Sequence, residues 1–270
     1  MDAPGEHSVR PDPSPEATGP AYDVEGRTPR GPAPSVRPVR GTANWVRHAA
    51  EAVRSIVLAI LVLLIVRALI VEAFKIPTSS MEGTLMAGDF LLVNKAVYGA
   101  EIPGIGFTLP SFGEPARGDV IVFNPPHEPS KHYVKRLVGM PGDTLAMRNK
   151  QLFLNGEPVP EPYVRHGDPK GDAVHPGMGW QGRFLAAEPR ARRYSPSRDN
   201  WGPIAVPPDR YFVLGDNRDN SEDSRYWGFV ARESIRGRPW IVYYSSEPEH
   251  ITGFSWFREV RWDRIGGRIR

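Results

Sequence analysis

The sequence predicts a mainly β protein held by one N-terminal transmembrane helix, and three observations carry that prediction. The 270 residues include 29 prolines and 27 glycines, more turn formers than a helical bundle carries. From residue 74 onward, short runs rich in Val, Ile, Phe and Tyr alternate with Gly, Pro and Asp, the pattern of strands and turns. A single strongly apolar run, within residues 48–74, precedes them all.

The elements follow in order. Residues 1–48 hold nine prolines and few large apolar side chains. Such a segment buries too little surface to offset its conformational entropy, so a disordered tail is expected. Residues 49–73 are expected to form the transmembrane helix. Their uninterrupted apolar core, residues 55–66, has only 12 residues, and inward and outward snorkelling of Arg54 and Arg67 extends it to a spanning length. The run is apolar on all faces, which argues against a buried helix of a soluble domain. Val71 and Ala73 sit where a signal peptide would be cut, but the segment before them is far too long for an n-region, so an uncleaved anchor is expected. Arg37, Arg40, Arg47 and Arg54 precede the span, whereas Lys75 alone closely follows it. The positive-inside rule then places the tail in the cytoplasm and the rest outside the cell membrane, single-pass.

Strands are expected within residues 89–99, 118–126, 132–143, 151–156, 210–217 and 238–245. Between 158 and 208 the chain turns polar and reads as an insertion or small cap. The β domain thus comprises 74–157 and 209–270, interrupted by 158–208. The net charge of +3 is mild and does not indicate nucleic acid. With no cysteine, disulfides and thiolate catalysis are excluded.

Two stretches invite chemistry. "FKIPTSSMEGTL", residues 74–85, offers Ser79 and Ser80, and a serine attacks only when a base takes its proton. Of the seven histidines, only His132 lies in a plausible core strand, which it shares with Lys135. Alternation puts them on opposite faces. Lys135 has Val134, Leu137 and Val138 close by, able to desolvate an amine, whereas His132 lies at the strand's edge; read from its strand alone, Lys135 is still first a solvated strand lysine. A lysine becomes a base at accessible pH only if burial lowers its pKa, and a nearby carboxylate would oppose this, so the site is expected to keep Asp and Glu away. "GDNRDNSEDSRYWGF", residues 215–229, mixes acids, amides and arginines. It reads equally as a polar surface loop or as a buried network bracing a site. A calcium loop is disfavoured, because Arg218 and Arg225 would oppose the cation.

Together with "RGDVIVF", "YVKRLVGMPGD", "LNG" and "RWDRIGG", these stretches resemble the type I signal peptidases, membrane-bound Ser/Lys endopeptidases that remove signal peptides from exported proteins. The resemblance spans residues 74–270 apart from 158–208. It implies a mainly antiparallel β catalytic domain with a smaller second domain, Ser80 as nucleophile and Lys135 as general base. It further implies an oxyanion hole from Thr78 and the Ser80 N–H, and Ser221 orienting the lysine. Asp223 and Arg225 would form a bracing salt bridge, with Asp216, Asn217 and Arg218 in the same supporting loop. Ser79 lies where the family often has glycine, and Glu82 departs from the usual uncharged residue. Signal-peptide-bearing preproteins are the implied substrates, met at the lipid bilayer near the export channel, with no metal or cofactor. The alternative from another class is an inactive membrane-tethered adaptor that binds exported peptides, but it would be expected to lack Ser80 or Lys135.

Overall fold

The computed structural model describes residues 42–99, 101–102, 107–108, 110–167, 172, 174–186, 194–247 and 260–269. The expected tail lies outside them up to residue 41, as does the side chain of Arg67. Helix α1 runs Thr42–Leu69, starting seven residues ahead of the expected span. Within it Trp45–Ile65, 21 residues, is long and apolar enough to cross a membrane, about 31 Å at the helical rise. Its apolar side chains are exposed, Leu63 by 64% and Val57 by 58%.

The end of the apolar run is not helical. Residues Val71–Lys75 form strand β1, paired antiparallel with β2 (Asp89–Asn94). The apolar run continues past the helix end, so hydropathy alone carries no boundary there. The remaining strands are β3 (Glu101–Ile102), β4 (Phe107–Thr108), β5 (Val120–Phe123), β6 (Tyr133–Gly139), β7 (Thr144–Arg148), β8 (Gln151–Leu154), β9 (Glu157–Pro158), β10 (Trp201–Ala205), β11 (Arg210–Leu214), β12 (Val230–Ala231) and β13 (Ile235–Ser245). A short helix α2 spans Ser224–Trp227.

Seven strands form the main sheet in the order β1-β2-β13-β5-β6-β11-β12, every pair antiparallel. In a flat sheet the first and fifth strands would stand about 19 Å apart. Instead Phe74 of β1 meets His132, just ahead of β6, with ring centroids 5.1 Å apart. The sheet is therefore curled, and β1 and β6 face each other across a slot. Alternation in β2 buries Leu91 and Val93 with Val122 of β5 and Val242 of β13, while Phe123, Leu137 and Val213 form a second apolar cluster.

A second sheet has the order β10-β7-β8-β9. Its core joins Leu145, Met147 and Leu152 to Met178, Trp201 and Ile204. The polar stretch after residue 158 thus supplies β10 and a 3-10 helix, Pro176–Arg183, to a module that already begins at β7. The second sheet includes β7 and β8, which precede residue 158. The β7–β8 hairpin belongs to the module, because β10 pairs with β7 and not with the main sheet.

Candidate active site

Beyond β1 the chain passes Pro77 into a run of turns. Met81 and Leu85 are buried there, and the Leu85 N–H donates to the Met81 carbonyl at 2.8 Å. Two anchored apolar side chains hold Ser80 at the start of the turn, only 8% exposed. Lys135 arrives from β6, and its Nζ lies 2.7 Å from Ser80 Oγ. Thr78 Oγ1 is 3.2 Å from the same oxygen. The Ser80 N–H has no hydrogen-bond partner among the described residues. His132 is committed elsewhere, its Nδ1 3.3 Å from Asn124 Nδ2 and its ring against Phe74.

Lys135 is 4% exposed. Burial lowers its pKa to about 8, opposed by Asp223, helped by Arg225, and opposed again by Glu222 and Asp216. The site therefore does not keep carboxylates away from the amine, contrary to expectation. Two of them, Asp223 and Asp216, are instead paired with arginines. Arg225 Nε and Nη2 donate to Asp223 Oδ1 and Oδ2, both at 2.8 Å. Burial alone would raise the Asp223 carboxyl, yet Arg225, the Gly215 N–H and the Ser221 hydroxyl hold it below the usual range. Asp216 is matched likewise: Arg136 Nε and Nη2 reach its two oxygens at 2.8 and 2.7 Å.

Residues 215–225 form the loop that closes the site. A Cβ at Gly215 would collide with the Ser80 carbonyl and the Ser221 side chain, so only glycine lets β11 end so close to the serine. The Asn217 N–H donates to the Ser80 carbonyl at 3.1 Å, and its side chain to the Ser79 carbonyl at 3.2 Å. Arg218 forks onto Glu161 at 2.8 and 2.6 Å. Ser221 Oγ donates to Asp223 Oδ2 at 2.7 Å. Ser79 accepts a hydrogen bond from Asn220 Nδ2 at 2.7 Å, so the two serines engage different partners.

A groove of about 980 Å³ runs along these residues. Phe74, Ile76, Pro77 and Val134 give it an apolar stretch, and Asn220, Ser221 and Glu222 border it from the loop. Ile76 N–H and C=O bond to the β2 side, so by alternation the main chain of Lys75 faces away from β2. Leu137 bonds toward β5 through its N–H and C=O. By the same rule the groups of Val134 face away from β5, and β11 pairs with β6 only from Arg136 onward. Both edges are open to an extended peptide.

Of the residues expected from the sequence, Thr78, Ser80, Lys135 and Ser221 line this groove, whereas Asp216, Asn217, Arg218, Asp223 and Arg225 lie in the adjoining loop and do not line it. Sequence reasoning missed Gly215, Arg136, Glu161 and Thr84, whose hydroxyl donates to Asp216 Oδ2 at 2.6 Å. Arg136 left a signal: an arginine inside the apolar run "KRLVG" must find a buried partner.

The comparisons with known proteins show the family. Residues 49–244 match the family described as signal peptidase, peptidase S26. The chain belongs to this family. Signal peptidase I of Pseudomonas fluorescens is 40% identical over 212 residues, covering 72% of this chain and 73% of that protein. Signal peptidase I of Pseudomonas aeruginosa is 39% identical over 200 residues, 68% of each. Signal peptidase I P of Bacillus subtilis subsp. natto is 36% identical over 192 residues, 71% of this chain and 86% of that one. The protein is thus a serine endopeptidase that removes signal peptides, and signal-peptide-bearing preproteins are its substrates.

Proposed function

We propose that Ser80 and Lys135 perform the cleavage as nucleophile and general base. The observation that carries this reading is the 2.7 Å contact between Lys135 Nζ and Ser80 Oγ, with the amine buried. A pKa of about 8 leaves a useful fraction of neutral amine near neutral pH. The preprotein lies extended in the slot, pairing its main chain with the open edges of β1 and β6. Neutral Lys135 takes the Ser80 proton as Oγ bonds to the scissile carbonyl carbon. The oxyanion formed is met by the Ser80 N–H and the Thr78 hydroxyl. When the C–N bond breaks, the Lys135 ammonium returns the proton to the departing amine, leaving an acyl-enzyme. Water then gives a proton to Lys135 as its oxygen bonds to the ester carbonyl carbon, and when the ester C–O bond breaks the Lys135 ammonium returns that proton to Ser80 Oγ, which frees the signal peptide and restores the neutral amine.

Ser221 supports the lysine. It lines the same groove as Lys135 and its own proton is committed to Asp223, so it has only lone pairs left with which to meet the amine, and the nitrogen lone pair stays with Ser80. Asp216, Asn217, Arg218, Asp223 and Arg225 hold the loop in place. We place α1 across the lipid bilayer near the export channel, the tail in the cytoplasm and the β domain outside, on the strength of the flanking arginines.

The test is cleavage of a purified preprotein by the detergent-solubilised protein, with sequencing of the new N-terminus. Ser80→Ala and Lys135→Ala each abolish cleavage, and the double variant is no worse than either, as for residues acting as one unit. Lys135→Arg is equally inactive, because guanidinium stays charged. Ser79→Ala keeps most activity, and rates for the unmodified protein rise with pH through a limb near 8. An inactive Ser79→Ala beside an active Ser80→Ala would overturn the assignment.

A further inference from the structure

The two-residue turn between β7 and β8 is made by Asn149 and Lys150, both left-handed, with φ of 48° and 68°. Two consecutive positive φ values suit the twist of a hairpin, and glycine is the favoured second residue. A lysine held there is an outlier that asks for a reason. Its side chain supplies one. Lys150 Nζ lies 3.0 and 2.9 Å from the two oxygens of Asp219, whose side chain is 1% exposed. Asp219 sits in the 3-10 turn Arg218–Asn220, between Asn217, which holds the Ser80 carbonyl, and Ser221. Asn220 in the same turn donates to Ser79 at 2.7 Å.

We propose that Lys150 is a positioning residue for peptide cleavage, fixing the 219–222 segment against Ser79, Ser80 and Lys135 from the second module. The inference rests on the Ser80–Lys135 reading above. Two other side chains face the same carboxylate, the His166 ring at 3.3 Å and the Arg198 guanidinium at 3.7 Å. Lys150 reaches both oxygens of that carboxylate. It also ties its own backbone to the module, with its N–H donating to the Asp199 carbonyl at 3.2 Å. Lys150 thereby ties the second sheet to the loop at Asp219. Releasing it lets the 219–222 segment move out and water reach Lys135, whose charged neighbours are Asp223, Arg225, Glu222 and Asp216. Weaker desolvation favours the ammonium.

Lys150→Gly separates positioning from stability, because glycine relaxes the turn while deleting the ammonium. In Lys150→Gly, preprotein turnover is expected to fall ~10- to 100-fold with KM held within about twofold, the signature of lost geometry rather than lost binding. The acid limb of kcat moves to higher pH, and the melting temperature holds or rises. Lys150→Arg, which keeps the charge and the fork, restores most of the turnover. Full turnover in Lys150→Gly overturns the proposal. So does a loss that follows a fall in melting temperature while the acid limb stays put. If Ser80→Ala still cleaves in the same assay, the nucleophile assignment fails instead, whatever the Lys150 variants do.

Discussion

Lys135 carries a cost that can be measured apart from catalysis. Its pKa falls from 10.5 to about 8 in the folded chain, a difference worth about 3 kcal/mol at 1.36 kcal/mol per unit. The folded state binds its proton less tightly than the unfolded state. The penalty is therefore complete below pH 8 and disappears as pH rises from about 8 to 10.5. Lys135→Met is expected to be inactive yet more stable than the unmodified protein by up to about 3 kcal/mol below pH 8. The gain should shrink to little near pH 10.5. Denaturant titrations of both proteins across that range check this, and a gap independent of pH would mean the amine is not desolvated. At this scale the sequence was highly legible. Residue types and apolar flanks pointed to Lys135 over His132, and the family motifs pointed to Ser80 over Ser79. What it did not reveal were partners far along the chain. Arg136 and Asp216 are 80 residues apart, and only the fold brings them together.

Among elements, the loop after β11 is governed by close approach. Gly215 lies where any side chain would strike both the Ser80 carbonyl and Ser221. Gly215→Ala must then push one of them aside. Turnover is expected to drop ~100-fold, the cost of a displacement on the order of 1 Å in a reacting centre. The sheet should survive, since Phe212, Val213 and Leu214 keep their burial. Kinetics paired with circular dichroism check both halves, and an active Gly215→Ala would mean the loop relaxes freely. Strand legibility tracked apolar content. The runs at 89–99, 118–126, 132–143, 151–156, 210–217 and 238–245 each contain a strand. Missed were β1, hidden in the tail of the membrane run, the two-residue strands β3, β4, β9 and β12, β7 with only "TLAMR", and β10, whose "WGPIA" carries Gly and Pro. Gly and Pro read as turn formers in a single sequence, yet Trp201 and Ile204 bury against the second sheet.

At the scale of the whole molecule, one polypeptide must place a water-requiring hydrolase beside a hydrophobic substrate segment. The second module contributes more than a cover to this task. Glu161, Lys150 and Arg198 reach the 215–225 loop, and Trp180 and Gln181 donate to the Arg225 carbonyl at 3.1 and 2.9 Å. The composition of 158–208 hid this role, because charged side chains that pair on folding look identical in sequence to solvated ones. Orientation is the remaining whole-molecule question, and the absence of cysteine makes it simple to ask. Single cysteines at Ser35 in the tail and at Ser111, exposed in the β domain, can be challenged in intact cells with a maleimide that cannot cross membranes. In Gram-negative cells the outer membrane would first be opened. Arg37 and Arg40 precede the Trp45–Ile65 span, and Arg47 and Arg54 lie in its first half, so the arginines crowd toward its N-terminal end and resist transfer across the bilayer. Ser111→Cys should therefore label at once and Ser35→Cys only after the inner membrane is breached. The reverse pattern would place Ser80 and Lys135 in the cytoplasm, where translocated signal peptides could not reach them, and the topology proposed for this chain would have to be abandoned.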